Sequence, residues 1–250
     1  MASTDGARAT AGRPRLSGSV GESPRLDVIR EATALFVAKG YAETTMSEIA
    51  RNAGLRQSSV YYWFARKEHI LQALLEDNRG SLSVAKALHH ARDAAAARLY
   101  AVLHADAVQL CASPLDFYEF ERVARSQPQN FGAFFDDYSE LHRLTASIIR
   151  QGTESGELRP VDPDVAATAA LGLGEGLQRH FRQPLPGLRA YTADEVSSLS
   201  ADTTLASLLA DREALPAVRS QAAGLRAAES TPVENARAES APAESASAES

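Results

Sequence analysis

Apolar residues recur at spacings of three and four across nearly all of residues 23–226, and no run alternates with the period of two that a strand requires. The segments carrying this pattern are closed by punctuation that fits helices. Ser23 followed by Pro24 is an N-cap and first-turn signal; Val28, Ile29, Ala32, Leu35 and Phe36 then line one face, and Gly40 closes the segment. Thr45-x-x-Glu48 is a capping box opening a short helix that ends at Gly54. A further short helix is predicted from Ser58 to Phe64, then one long helix from Lys67 to about His90. Helical stretches follow near 93–112, 114–126, 128–155, 163–182 and 194–226, interrupted by Pro114, Pro128, Pro160, Pro163, Pro184 and Pro186. The expected fold class is all-α.

The 250 residues suffice for a sizeable core, and 44% of them are apolar, so collagen-like and wholly disordered chains are excluded. No stretch approaches the roughly 20 apolar residues of a membrane helix, and Asp5, Arg8, Arg13 and Arg15 stand where a signal peptide needs an apolar core. The sequence therefore predicts a cytoplasmic protein without a membrane partner. Cys111 is the single cysteine, which removes internal disulfides and zinc fingers. The net charge of −6 hides an asymmetry: residues 1–67 hold 10 Lys and Arg against 6 Asp and Glu, the remainder 16 against 26. A small basic head on a larger acidic body is what phosphate contact by the head alone would produce.

The ends differ from the middle. Residues 1–22 lack periodicity and read as a disordered basic arm; Arg13-Pro14-Arg15 has the core of a minor-groove hook, but its sparse flanking charge favours a solvated arm. Residues 227–250 repeat Ala-Glu-Ser four times with Val233 the one large apolar residue, the composition of a disordered acidic tail.

The stretch Thr44 to Lys67 narrows the function. Ala50, four residues before Gly54, is small enough for close helix crossing, and Gly54 can adopt the left-handed turn conformation. With Ile49, Leu55 and Val60 as a miniature core, this is helix-turn-helix spacing. The second helix then presents Arg56, Gln57, Ser58, Ser59, Tyr61 and Tyr62, all hydrogen-bond donors with no acid among them. Such a helix start suits phosphates and base edges in a major groove, with Gln57 matched to adenine. The competing reading is a helical hairpin inside an unrelated bundle, with residues 61–64 as core.

The run Ile29, Ala32, Leu35-Phe36, Gly40-Tyr41, Thr44-Thr45, Ile49-Ala50, Ala53-Gly54, Tyr61, Phe64 and Lys67-Glu68 resembles the N-terminal domain of tetracycline-repressor (TetR) family transcriptional regulators over about 45 residues. The resemblance implies an N-terminal three-helix head, residues 23–67, joined to a helical ligand-binding and dimerisation body, residues 68–226. It also implies a homodimer on a palindromic double-stranded DNA operator. In the family's pattern Thr45 holds a phosphate, Tyr61 and Tyr62 meet backbone or base methyls, and Lys67 binds phosphate; Gln57, Ser58 and Ser59 stand where bases are read. Arg56 and Ser58 depart from the family's usual small capping residue and Gly, so an added phosphate or guanine contact is implied and the operator is not transferable.

In the body, aromatic residues concentrate between Tyr100 and Phe181, the composition of either ordinary core or a small-molecule cavity. The cavity reading takes Tyr100, Phe117, Phe120, Phe134 and Tyr138 as walls of a site for a hydrophobic or aromatic effector, with His104, His142, Glu119 or Gln178 as polar anchors. The run Leu171-Gly-Leu-Gly-Glu-Gly-Leu177 has no preceding strand and no following Lys, so it reads as helix with small residues for close packing, not a phosphate loop. The resemblance assigns 163–182 and roughly 194–210 to the dimer interface. No Glu-x-x-His, His-Glu-x-x-His, Gly-x-Ser-x-Gly or Gly-x-x-x-x-Gly-Lys occurs, and neither a metal nor a cofactor is called for. The chain reads as a ligand-responsive regulator rather than an enzyme, by default a repressor; the alternative is a helical small-molecule-binding or scaffold protein without operator binding.

Overall fold

The computed structural model describes residues 23–76, 79–113 and 116–229. The basic arm with Arg13-Pro14-Arg15, and the tail beyond 229, lie outside the described residues. Among the described residues there are eleven α-helices and no strand; the nearest approach to pairing is an isolated antiparallel bridge between Leu158 and Leu209.

The head consists of α1 (Pro24–Lys39), α2 (Met46–Asn52) and α3 (Gln57–Trp63). Thr45 completes the predicted capping box: its hydroxyl accepts from the Glu48 amide while the Glu48 carboxylate accepts from the Thr45 amide. Gly54 sits at φ 64°, so the turn between α2 and α3 uses the left-handed conformation that a Cβ would oppose. Val28, Ala32, Phe36, Ile49, Val60 and Phe64 form the core beneath these helices.

The body is built on α4 (Lys67–Glu76), α5 (Gly80–Leu88), α6 (Ala95–Ala112), α7 (Phe117–Ser126), α8 (Gly132–Ser155), α9 (Pro163–Arg182), α10 (Ala193–Leu208) and α11 (Leu215–Glu229). Helix α6 is the axis around which α5, α8, α9, α10 and α11 pack. Its alanines explain how: Ala95, Ala96, Ala97, Ala101 and Ala107 are all buried, and short side chains let neighbours close in on every side. The N-terminus of α6 has no cap of its own; Glu157, arriving from beyond α8, accepts from the Ala95 and Ala96 amides at 3.2 and 3.0 Å. Buried Arg98 donates to the carbonyls of Leu88 and His89 at the end of α5 and to Gln151 of α8.

Two predicted helices are each divided. The segment expected to run unbroken from Lys67 to His90 ends as α4 at Glu76 and restarts as α5 at Gly80, with Arg79 at φ −112°, ψ 15° outside the helical region. The sequence around Arg79 holds three residues of poor helix propensity, Asp77, Asn78 and Gly80. The segment expected over 194–226 stops at Leu208, passes a turn in which Asp211 accepts from the Glu213 amide, and resumes at Leu215 with Pro216 in its first turn. Helix α11 then extends through residues 227–229, which the repeat pattern had assigned to the tail.

The glycine run on α9 lies in a helix, as expected. Gly174 is buried where a Cβ would stand 3.4 Å from Ser200 of α10 and 3.7 Å from Asp106 of α6, so it serves close packing within the chain. Gly172 and Gly176 open outward with nothing within 4 Å of the position of a Cβ.

Candidate functional site

Helix α3 is held to the head by one fully buried residue, Val60, and by Leu55 before it. That leaves the rest of its surface outward. Arg56, Gln57 and Ser58 are exposed and Ser59 half-buried; Tyr61 and Tyr62 are exposed, Tyr62 to 79%. Residues 61–63 are therefore not core; only Phe64 of the aromatic run is buried. Trp63, 43% exposed and edge-on to Tyr62 with ring centroids 5.0 Å apart, belongs to the same face and was not singled out from the sequence. The signal was present in Tyr61-Tyr62-Trp63: a seven-residue helix anchored by a single valine cannot bury three successive aromatics.

Thr45 is exposed at the N-terminus of α2. Its partner Glu48 also meets Lys39 at 2.7 Å, and these bonds draw the Glu48 carboxyl down to about 2, so the capping box stays ionised. Lys67 is arranged otherwise than the resemblance implied. Its ammonium donates to the carbonyls of Tyr41, Ala42 and Thr44 at 2.5, 3.2 and 2.8 Å and lies 4.2 Å from the centre of the Tyr41 ring. An ammonium has three N–H groups, so none is left to donate to a phosphate. Lys67 staples the loop between α1 and α2 to the start of α4.

A second site lies where head and body meet. A cavity of about 280 Å³ is enclosed by Gln72 and Leu75 of α4, Ser81 and Leu82 of α5, Phe117 and Phe120 of α7, and facing residues of α6, α8 and α9. Helix α6 contributes Asp106, Gln109 and Leu110, and α8 contributes Phe134, Asp137, Tyr138 and Leu141, each a stripe at helical spacing. Glu175 comes from α9. Phe117, Phe120, Phe134 and Tyr138, expected as walls, do line this cavity. Tyr100, His104, His142 and Gln178 do not. Tyr100 faces α10, where its hydroxyl donates to Asp202 at 3.1 Å, with His104 stacked beside it; they occupy the opposite stripe of α6 from Asp106. His142 bonds Thr168 on the surface, and Gln178 is buried with its amide donating to the Leu110 carbonyl. Glu119 points away from the cavity, toward the Tyr41 amide.

The polar end of the cavity was not foreseen. Asp106 and Glu175 are both more than nine-tenths buried. Burial raises the Asp106 carboxyl to about 7, with the neighbouring Glu175 charge adding to the shift and a Ser81 hydrogen bond opposing it. Glu175 is likewise raised by burial, against the hydrogen bond it accepts from the Tyr138 hydroxyl at 2.7 Å. At the mouth, Arg79 pairs with Asp137 at 2.7 Å.

The cavity wall is also the floor of the head. Phe120 and Phe131 join Phe36, Val60, Ile70 and Leu71 in one continuous apolar cluster, with Phe134 packed against it. Phe120 meets Phe134 edge-on at 4.6 Å, and the next turn is pinned by Gln72 of α4 donating to the Asn130 carbonyl. Helix α7 thus touches the cavity with Phe117 and Phe120 and the α1–α2 loop with Glu119. Among the described residues no cluster of His, Cys, Asp and Glu could hold a metal, and no helix is long and apolar enough to cross a membrane.

An exposed recognition-type helix on a three-helix head, above a helical body with a cavity at the junction, defines a helix-turn-helix transcription regulator. Residues 28–74 match the family model for bacterial regulatory proteins of the tetR family. The HTH-type transcriptional repressor KstR2 of Mycobacterium tuberculosis is 31% identical over 163 residues, covering 60% of this chain and 76% of that protein. The HTH-type transcriptional regulator TtgR of Pseudomonas putida is 27% identical over 182 residues, covering 64% and 80%. The solved structure of the M. tuberculosis ketosteroid transcriptional regulator KstR2 superposes with a TM-score of 0.64 at 24% identity, covering 79% of this chain and all of that one. The chain belongs to the TetR family, and it is a ligand-responsive, DNA-binding transcriptional regulator.

Proposed function

We propose that this protein is a homodimeric repressor that holds a palindromic operator through α3 and releases it when a small effector enters the cavity beneath the head. In this reading residues 23–67 form the DNA-binding unit and 68–226 the effector and dimer unit. Gln57 and Ser58 read base edges, Arg56 and Thr45 contact phosphates, and Ser59, Tyr61, Tyr62 and Trp63 pack on the sugar–phosphate wall or base methyls. Two such helices about 34–36 Å apart would engage successive major grooves, which a single copy cannot do. The outward faces of α9 and α10, where Gly172 and Gly176 leave room for close approach, supply the two-fold contact.

The observation that carries the release mechanism is the shared wall: Phe120 and Phe134 line the cavity on one side and support the head on the other. The non-helical backbone at Arg79 means that the signal does not travel along one rigid helix. It passes through α7 and the Pro128–Asn130 turn, which effector binding would displace against Tyr41 and Gln72. By linkage, an effector that lowers operator affinity by a given factor binds the DNA-free dimer more tightly by that same factor, typically about 1–3 kcal/mol.

Fluorescence anisotropy with duplexes from the DNA upstream of the protein's own gene tests operator binding, and sedimentation tests the dimer. The Ala133→Trp variant places bulk at the cavity and is expected to weaken operator binding without any ligand. A folded variant with wild-type operator affinity would remove the release mechanism while leaving DNA binding in place. A monomer at micromolar concentration, or equal affinity for half-site and palindrome, would remove the two-fold reading.

A further inference from the structure

The cavity carries more information than its size and aromatic walls. Asp106 on α6 and Glu175 on α9 are two carboxylates, each more than nine-tenths buried, lining a cavity whose walls include Phe117, Phe120, Phe134 and Tyr138 alongside polar Gln72, Gln109 and Asn130. Each receives one neutral hydroxyl: Glu175 from Tyr138 at 2.7 Å, Asp106 from Ser81. Among the described residues the lining holds no lysine, and its single arginine, Arg79, is engaged by Asp137 at the mouth. A carboxylate can accept from about four directions, so each of these acids is left with most of its capacity unused. Two buried acids at one cavity without a cation are forced toward their protonated forms unless something else brings the charge. Hydrophobic residues of like volume would pack this end more stably, so its composition is explained by what enters. Aromatic faces next to the acids add attraction for a positive group through their quadrupoles.

Taking the cavity as the effector site, as proposed above, we infer that the effector is a lipophilic cation: a primary or substituted ammonium, or an amidinium, whose charged nitrogen lies between Asp106 and Glu175 and whose apolar part lies among Phe117, Phe134 and Tyr138. A volume of about 280 Å³ lies at the small end of ligand pockets, which limits the apolar part to one or two rings. Anionic effectors are excluded by the same two acids, and neutral alcohols gain hydrogen bonds but no charge compensation. Binding of the cation favours the ionised form of Asp106, whose carboxyl burial has raised to about 7, so the proton held there is released as the ligand enters.

The test uses the full chain and two matched sets of probes, 4-phenylbutyl and biphenyl-4-ylmethyl, each as amine, alcohol and carboxylate, titrated by calorimetry at pH 7. At least one amine is expected to bind 10-fold or more tighter than its alcohol, with the carboxylates not binding. Asp106→Asn and Glu175→Gln, which keep shape and remove one charge each, are expected to lower amine affinity at least 10-fold while leaving alcohol affinity within about 3-fold. Thermal melting followed by circular dichroism establishes that both variants fold. Alcohols binding as well as amines, or amine affinity unchanged in both variants, overturns the cation assignment and leaves the cavity as an effector site. Failure of all six probes to bind overturns the cavity reading together with it.

Discussion

Replacing Lys67 by methionine separates two roles that sequence resemblance alone would merge. The ammonium donates to three carbonyls at 2.5, 2.8 and 3.2 Å and lies 4.2 Å from the Tyr41 ring centre. Charge-assisted hydrogen bonds contribute about 1.5–3 kcal/mol each when the partner is left stranded, but this loop is partly open and water can recover some of the loss. The ring contact adds about 0.5–1 kcal/mol. Lys67→Met keeps the aliphatic stem, so the expected cost to the head is about 2–3 kcal/mol rather than the full sum. Urea titration followed by Trp63 fluorescence reads this as a lower midpoint for the head. Operator binding is then measured against salt. A phosphate contact would contribute about 0.9 to the slope of log K against log salt, whereas a staple with no free N–H contributes none once the folded fraction is accounted for. An unchanged urea midpoint combined with a slope reduced by about 1 would refute the staple and restore the phosphate role.

Three further outcomes are expected. Gly152→Ala puts a Cβ 2.7 Å from two carbons of buried Leu158 and 3.2 Å from Ala95, so overpacking of about 1–3 kcal/mol outweighs the roughly 1 kcal/mol gain in helix propensity; a melting temperature at or above wild type would contradict this. Asp106 has a folded-state pKa of about 7 against a far lower value in the unfolded chain, so the folded state holds the extra proton. Stability should therefore fall as pH rises from about 4 to 7, with Asp106 contributing up to ~1.4 kcal/mol per pH unit, and Asp106→Asn should reduce that slope while the raised Glu175 carboxyl keeps part of it; parallel curves for the two proteins would show that Asp106 titrates normally. Gln57→Ala should cost about 1–3 kcal/mol on the operator and relax preference at one base pair, and a uniform loss across all duplexes would move Gln57 from base reading to positioning.

What was legible in the sequence follows from how local the determining forces are. The bounds of α1 and α9 could be read because Ser23-Pro24 and Asp162-Pro163 fix their starts by local backbone chemistry. The Thr45–Glu48 capping box is likewise a four-residue matter. The break between α4 and α5 was missed because periodicity of apolar residues continues across Asp77-Asn78-Arg79-Gly80 even though propensity does not. Lys67 was misplaced because a side chain's partners are a tertiary fact: position in a motif says that a lysine is needed there, not what its ammonium touches.

The cavity shows the same division more sharply. Phe117, Phe120, Phe134 and Tyr138 were identifiable because two helices that must bury aromatic stripes leave few places to put them. Tyr100 and His104 failed because one α6 serves two clients: residues 106, 109 and 110 face the cavity while 100, 104, 107 and 111 face α10, and nothing local says which stripe meets which neighbour. Asp106 and Glu175 could not be picked from the sequence at all, since an acid on a helix is most often solvated, and only assembly of α5, α6, α8 and α9 excludes water from both. This is also why they carry the functional argument. A solvated acid adds little to a protein's choice of ligand, but two acids enclosed together set the sign of charge the site will accept, and their aromatic neighbours tie that choice to the position of the head.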